Sequence, residues 1–460
     1  MKYLLSFFII AISINSFADD NLTKEFVLEN GLKLIVKEDH RSPVVVSQVW
    51  YKIGSSYEEG GRTGLSHLLE HLMFKGTDQY AAGQFSRIMA ENGADENAFT
   101  SSDYTAYFQK LEKNRLEISF KLESDRMRGL KFDPKEFDKE REVVIEERKL
   151  RTDDKPNSLM YEIFKATAFQ SSPNRNPIIG WTSDLKNATL EDAKNWYQRW
   201  YAPNNAIVVV AGDINPEEVF TLAKTYFGHL KPFEIIPIKS TPEVEQFGIK
   251  RIVVKKPAKL SYLLMGYKVP SIKTTKENWI PYALQLVSYI LDGGDSSRFS
   301  RNLVRGKEIA TSISAGYDPY GRLEELFVFS GTPTQKNSVE TLENAIREQI
   351  KILQTELVKE DELKRIKAQL VAAKVYEKDS VFYQAMQMGQ LEAIGLPYHL
   401  ADEFVENISA ITPEQIQSVA RQYFIDDALT VAVLEPQPLA DQKAVSSKAI
   451  STSFEHGHGH

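Results

Sequence analysis

Two histidines and a glutamate occur within five consecutive residues in the first part of the chain. Residues 67–71 read HLLEH, which places His67 and His71 four positions apart with Glu70 between them. Side chains four positions apart on an α-helix share a face, so both imidazoles can reach one metal ion. The spacing predicts a zinc site with a carboxylate beside it, and a solvated helix face is the alternative.

A third zinc ligand is expected farther along the chain, because catalytic zinc usually takes three protein ligands and keeps one position open. The acid-rich run FDKEREVVIEERKL begins at Phe137 and follows Asp133 and Pro134, which are typical of a helix start. Its Glu140 and Glu147 are two helical turns apart and share a face. One of them could bind the metal while the other orients a ligand histidine. The alternative for each is a surface ion pair.

Five segments of the chain carry a resemblance to a known enzyme family. They are NGLKLIVKEDHRSPVVVSQVWYKIGS, which is expected to form a strand pair, GGRTGLSHLLEHLMFKGT, NGADENAFTSSDYTAYF, REVVIEE and PNRNPIIGWTSDL. In the second segment a glutamate directly precedes the second histidine, the order typical of inverzincins. The chain resembles the pitrilysin/insulinase family of zinc metallopeptidases, which includes the mitochondrial processing peptidases and many two-domain bacterial proteases.

The resemblance implies a role for each residue of the predicted zinc site. It assigns one zinc ion per chain to His67, His71 and Glu147, the catalytic base to Glu70, and the carboxylate behind a ligand to Glu140. Zinc acidifies its bound water, whose proton Glu70 would take and deliver to the leaving amine. The expected function is a zinc endopeptidase acting on extended peptides or unfolded segments. The alternative is a non-catalytic assembly or scaffold subunit, which has no reason to keep the full set.

A candidate substrate-binding segment follows the HLLEH motif. Its residues are Asn97, Ala98, Phe99 and Thr100, and the run YTAYF after them favours a hairpin. The resemblance implies an exposed edge strand beside the zinc, to which an extended substrate adds as a further strand. Phe99 would form a wall of the pocket beside the scissile bond. The alternative is an ordinary buried strand.

The chain contains a diverged internal repeat. Thr189 opens a predicted helix that leads into the apolar strand AIVVVAG, and Thr412 opens another that leads into LTVAVLEP. This repetition predicts two similar α+β domains, each with helices packed on a sheet. We expect a zinc-binding N-terminal domain at 19–235, a proline-rich linker at 236–247 and a C-terminal domain without metal at 248–437.

One departure from the family pattern concerns the second half. Active relatives carry there an arginine, and a tyrosine seven residues later, that hold the substrate. Arg305 matches the arginine, but the position of the tyrosine is occupied by Ser312, and Tyr317 and Tyr320 are off the spacing. The resemblance therefore implies a partner subunit that carries the Arg/Tyr pair. We expect a heterodimer, with a homodimer as the alternative.

Composition and chain ends limit the remaining possibilities. The net charge of −7 argues against a nucleic-acid partner, and the absence of cysteine excludes disulfides and thiolate metal sites. Residues 1–18 read as a secretory signal peptide, and no later segment approaches a membrane span, which predicts an exported, periplasmic protein. The tail at 438–460 is polar and expected to be disordered, and its His456, His458 and His460 could bind a transition metal weakly.

Overall fold

The structure is a computed structural model that describes residues 22–239 and 241–439. The predicted signal peptide at 1–18 lies outside the described residues, as does the predicted tail from 440 onward with its three histidines. No helix within the described ranges is long and apolar enough to cross a membrane.

A six-stranded sheet forms the centre of the first half. Its strands are β1 (Thr23–Val27), β2 (Lys33–Glu38), β3 (Val44–Tyr51), β4 (Asp95–Thr100), β5 (Thr105–Glu112) and β6 (Ala206–Gly212). Their spatial order is β1-β2-β6-β3-β5-β4, and only β2 and β6 run parallel. The predicted pairing of β2 with β3 is wrong, because the wholly buried strand β6 lies between them.

The first half of the chain, as far as the structure describes it, also contains eight α-helices. They are α1 (Leu65–Leu72), α2 (Gln84–Glu91), α3 (Leu116–Gly129), α4 (Pro134–Arg148), α5 (Pro156–Ala168), α6 (Thr182–Asn187), α7 (Leu190–Trp200) and α8 (Pro216–Phe227). Helix α4 begins as its sequence predicts, because the Asp133 carboxylate accepts a hydrogen bond from the Lys135 N–H and Pro134 occupies the first helical position. Helix α7 begins with a reciprocal capping box at Thr189.

The second half repeats the sheet of the first with one strand fewer. Its strands are β7 (Lys250–Pro257), β8 (Tyr262–Val269), β9 (Ala310–Gly316), β10 (Glu325–Pro333) and β11 (Leu429–Gln437), in the order β7-β11-β8-β10-β9. Its helices are α9 (Trp279–Asp292), α10 (Val339–Thr355), α11 (Glu360–Glu377), α12 (Val381–Ala393), α13 (Leu400–Ala410) and α14 (Pro413–Tyr423). A second capping box, at Thr412, opens α14. The predicted fold of two similar α+β domains is confirmed.

The two halves exchange helices. Helix α5 packs on β7, β8 and β11 of the second sheet, and α12 packs on β3 and β6 of the first. Both contacts require glycine, because a Cβ on Gly389 of α12 would lie 2.2 Å from the Trp50 ring and one on Gly266 of β8 would lie 2.6 Å from Phe164. The strands of the first sheet lie between residues 23 and 212 and those of the second between residues 250 and 437, whereas α5 and α12 each cover the sheet of the other half. The proposed domain bounds stay a prediction.

Candidate metal centre

Helix α1 presents an apolar face to the core and a polar face to a cavity. Four leucines, Leu65, Leu68, Leu69 and Leu72, are buried in the core of the first half. Their spacing leaves His67, Glu70 and His71 on the opposite face, where all three border the cavity. The buried carboxylate of Glu58 accepts 2.7 Å hydrogen bonds from the N–H groups of Gly64 and Ser66 and so caps the start of the helix.

Helix α4 brings a third metal-binding group to this face. The Oε2 atom of Glu147 lies 3.8 Å from Nε2 of His67 and 3.4 Å from Nε2 of His71. Zinc bonds of about 2.0–2.2 Å in a tetrahedral arrangement place ligand atoms about 3.4 Å apart. Candidate ligand atoms of the three residues all lie within 4.8 Å of one another, so the donor set fits a zinc ion.

A second layer of side chains holds two of these groups. Glu140, which is buried on α4, faces Nδ1 of His71 at 3.3 Å and pairs with the Lys75 ammonium at 2.8 Å. On the far side, Arg151 pairs at 2.6 Å with Oε1 of Glu147, the oxygen that faces away from the histidines. Sequence reasoning missed Lys75 and Arg151, although each lies four residues after a predicted site residue, a spacing that favours contact.

Burial keeps His67 in the form that binds metal. Burial, assisted by the charges of His71 and Arg151, lowers the pKa of His67 to about 3. A neutral imidazole offers a free lone pair, which a metal ligand requires. Its other ring nitrogen, Nδ1, is buried and has no hydrogen-bond partner among the described residues. The arrangement thus leaves His67 to act through Nε2, the atom that faces Glu147.

Glu70 lies beside the donor set and is held by the predicted substrate strand. The hydroxyl of Thr100 donates a hydrogen bond to Oε2 of Glu70. Burial raises the pKa of Glu70 above its ordinary value, while the Thr100 hydrogen bond opposes the rise. A carboxyl group whose pKa moves toward neutrality is better suited to accept and return a proton at physiological pH.

Strand β4, which carries the four predicted substrate-binding residues, is the free edge of the first sheet. Asn97, Ala98, Phe99 and Thr100 all border a cavity of about 990 Å³ beside the metal-binding group. Ala98 packs on the core beneath α1. The ring of Phe99 instead packs edge-on against Trp50 in the core covered by α12, with 5.4 Å between ring centroids. Its role as a pocket wall stays a prediction.

The structure does not bring Arg305 to the cavity within one chain. Arg305 follows a short π-helical segment, Ser300–Val304, and donates a hydrogen bond to the carbonyl of Asp295. Ser312 lies on β9, the free edge of the second sheet. The Tyr317 hydroxyl donates to the carbonyl of Pro270 at 2.6 Å. None of the residues that border the cavity in the described part of the chain is Arg305, Ser312 or Tyr317.

A different arginine of the second half contacts the loops of the site. Arg322 donates hydrogen bonds through its backbone N–H to Asp103, at 2.8 Å, and through its guanidinium to the hydroxyl of Ser56, also at 2.8 Å. Asp103 lies in the turn after β4, and Ser56 precedes the loop that caps α1. Sequence reasoning gave no signal for this contact, because 219 residues separate Arg322 from Asp103.

Comparisons with known families agree with this geometry. The family described as Insulinase (Peptidase family M16) matches residues 33–181. The family described as Peptidase M16 inactive domain matches residues 187–370, which include most of the second sheet. The second description agrees with the location of the metal-binding group, since all three of its residues lie in the first half.

Curated relatives and solved structures match over most of the chain. The chain is 34% identical to the zinc protease PqqE of Helicobacter pylori, covering 89% of this chain and 92% of that one. It is 25% identical to YmxG of Bacillus subtilis, named an uncharacterized zinc protease, covering 90% and 98%. A crystal structure of a protease from Helicobacter pylori is 32% identical, with a TM-score of 0.85 and coverage of 90% and 99%. The periplasmic protease PqqL of Escherichia coli shares the fold, at 18% identity, with a TM-score of 0.75 and coverage of 96% of this chain and 52% of PqqL.

Proposed function

Because the chain belongs to the insulinase family of peptidases, M16, we propose that it is a zinc-dependent endopeptidase that hydrolyses extended peptides or unfolded protein segments. The observation that carries the proposal is the convergence of His67, His71 and Glu147 on one point with Glu70 beside them. A scaffold subunit is the weaker proposal, since it would need neither the donor set nor the buried groups that orient it.

The proposed chemistry divides the roles among the side chains. His67, His71 and Glu147 would hold one zinc ion, which when bound lowers the pKa of water and polarises a carbonyl oxygen. Glu70 would accept the proton of the attacking water and return it to the leaving amine. The Thr100 hydroxyl would keep the Glu70 carboxylate in place, and Glu140 would orient the His71 ring.

The proposed substrate lies along the free edge of β4. An extended peptide can pair there with the unpaired main-chain groups of Asn97, Ala98, Phe99 and Thr100. The contact between Thr100 and Glu70 supports this placement, because it puts the edge strand next to the proposed base. Recognition through main-chain hydrogen bonds tolerates many side chains, which suits unfolded segments.

We further propose that a partner subunit completes the site. Arg305 and Ser312 lie away from the cavity, so a donor for the developing oxyanion is expected from a second chain that carries an arginine and a tyrosine seven residues apart. The loss of one such donor costs about 10²- to 10³-fold in rate. A heterodimer is therefore preferred to a homodimer. We also propose, from residues 1–18, that the chain is exported, as is the periplasmic protease PqqL, which shares the fold.

The test uses the purified full chain and an unstructured fluorogenic peptide. Hydrolysis is expected to disappear after chelation and to return with zinc. Addition of a co-expressed partner with the Arg/Tyr pair is expected to raise the rate about 10²-fold, and Ser312→Tyr to restore a smaller part. Full activity of the homodimer, with no gain from a partner, would refute the heterodimer alone. Absence of zinc-dependent hydrolysis in every combination would favour the scaffold.

A further inference from the structure

The cavity beside the metal-binding group has two cations on its wall that lack a carboxylate partner. Lys165 lies on α5, and Arg175 ends the short 3₁₀ segment Pro173–Arg175. Neither forms an ion pair with any carboxylate in the ranges that the structure describes. The guanidinium of Arg175 donates a 2.9 Å hydrogen bond to the carbonyl of Gln170. Both positive charges are therefore available to a ligand in the cavity.

The acidic groups of the same cavity are already engaged. Glu147 pairs with Arg151 at 2.6 Å. The buried carboxylate of Glu162 is held by Arg148, with hydrogen bonds of 2.7 and 2.6 Å to its two oxygens. Glu70 accepts the hydroxyl of Thr100. None of these three carboxylates pairs with Lys165 or Arg175.

A buried carboxyl group behind the wall does not supply the missing charge in full. Glu325 is close enough to interact electrostatically with Lys165, but burial raises its pKa to about 7. Near neutral pH it is therefore only partly ionised. Its Oε1 atom also accepts a long hydrogen bond, 3.4 Å, from the Asn174 side chain.

Both cations border the cavity that an extended peptide paired with β4 would adjoin, and Lys165 lies on the wall formed by α5. Ser158, Tyr161 and Lys165 fall on one face of α5, at helical spacing, and all three border the cavity whose other wall includes strand β4. A peptide paired with β4 projects alternate side chains to one side. Some of these side chains would enter the cavity between β4 and α5, whose wall carries Lys165 and Arg175 without a carboxylate partner among the described residues.

We propose that Lys165 and Arg175 make this site selective for peptides that present a carboxylate close to the scissile bond. The inference rests on the proposed peptidase function and names its substrate class. A carboxylate in a partly enclosed cavity gains more from a cation than one in bulk water, because the surrounding dielectric is lower. The carboxylate can come from an aspartate or glutamate side chain or from the C-terminus of a short peptide.

The experiment compares peptides that differ at one position. A neutral fluorogenic peptide is prepared with aspartate, asparagine or lysine at each position around the scissile bond, each with a free and an amidated C-terminus. We measure kcat/KM for the zinc-loaded full chain, alone and with its partner. The same peptides are titrated against Glu70→Gln by fluorescence anisotropy, which reports binding without hydrolysis.

We expect aspartate at one or more positions to raise kcat/KM and affinity about fivefold over asparagine, and lysine to lower both. Lys165→Gln and Arg175→Gln should each remove part of this gain, and Lys165→Glu should reverse the preference between aspartate and lysine. Lys186→Gln removes the same charge from the exposed surface of α6 and should change nothing. The preference should weaken at high salt.

The outcomes separate this inference from the proposed function. Glu70-dependent hydrolysis with no gain from aspartate at any position, or a gain that survives both Gln variants, would overturn the carboxylate preference and leave the peptidase intact. A gain confined to the free C-terminus would assign the carboxylate to the chain end. If no peptide is hydrolysed, equal binding of aspartate and asparagine peptides to Glu70→Gln still overturns the inference.

Discussion

The helices α1 and α9 occupy the same place in the two halves. Helix α1 lies between β3 and the hairpin of β4 and β5, and α9 lies between β8 and the hairpin of β9 and β10. Their surfaces nevertheless differ in polarity. Helix α1 buries its leucines and turns His67, Glu70 and His71 to a cavity. Helix α9 is apolar almost all round and buries 10 of its 14 residues. In this chain the candidate metal-binding group lies where the helix keeps a polar face next to α4 and the edge strand, and the apolar helix α9 offers no such face.

The second half, which lacks the candidate metal-binding residues, nevertheless supports the first half. Helix α12 covers the first sheet behind the edge strand, and Arg322 holds the turn after that strand. In return, α5 covers the second sheet and carries cavity-lining residues such as Tyr161. The second half thus supports the first, whereas the candidate metal-binding group lies in the first half.

The largest difference between the halves should appear when polar residues of α1 and α9 are changed. Glu70→Gln removes the proposed proton acceptor and should lower peptide hydrolysis by about 10²- to 10⁴-fold. Gln285→Ala changes a half-buried polar residue of α9 and should leave the rate within about twofold, since it touches no reacting group. Steady-state hydrolysis measures both. Activity of Glu70→Gln within tenfold of wild type would remove the basis for the comparison.

A smaller effect is expected from the residue behind the donor set. Glu140→Gln weakens the support of His71 and should reduce zinc affinity by about 10- to 100-fold. Glu142 lies on the exposed side of the same helix, so Glu142→Gln is the matched control. Competition with a chromogenic chelator gives both affinities. Equal zinc affinities in the two variants would limit the role of Glu140 to its ion pair with Lys75.

The exchange of helices predicts matched losses of stability in the two halves. Gly389→Ala and Gly266→Ala place a methyl group against the buried rings of Trp50 and Phe164. Each should lower the free energy of unfolding by about 1–3 kcal/mol. Gly60→Ala is the control, because nothing lies within 4 Å of its added Cβ. Urea unfolding measures the three. If only one of the two variants lost stability, only one of the two helix contacts would contribute to the stability of the fold.

The smallest effect concerns the segment that joins the halves. Burial disfavours ionisation of Glu243, but the Lys268 ammonium and the N–H groups of Gln170, Ser171 and Ser172 outweigh it and lower the pKa of Glu243 to about 2. A lowered pKa stabilises the folded state above the ordinary value near 4.5, and this stabilisation is lost as pH falls toward 2. Glu243→Gln should therefore flatten the loss of melting temperature between pH 4.5 and 2. If Glu243→Gln lost melting temperature between pH 4.5 and 2 as steeply as wild type, the stabilising role of the ionised Glu243 would be contradicted.

The sequence predicted local features better than distant ones. Spacing along helices placed His67 and His71 on one face, and the family resemblance added Glu147 as the third ligand. The residues Asp133, Thr189 and Thr412 located three helix starts. These signals depend on neighbours within a few positions. The insertion of β6 between β2 and β3, the exchange of α5 and α12, and the contact of Arg322 depend on pairing between segments far apart in the chain. No local pattern encodes such pairing, so these features were not predicted.

The location of bound zinc tests the account most directly. Crystals of the zinc-loaded protein, with His456, His458 and His460 replaced by glutamine, are measured above and below the zinc absorption edge. We predict one anomalous peak per chain, about 2.0–2.2 Å from Nε2 of His67, Nε2 of His71 and a carboxylate oxygen of Glu147. A peak held by other residues, or none at these three in protein that retains one zinc per chain, would contradict the proposed metal centre.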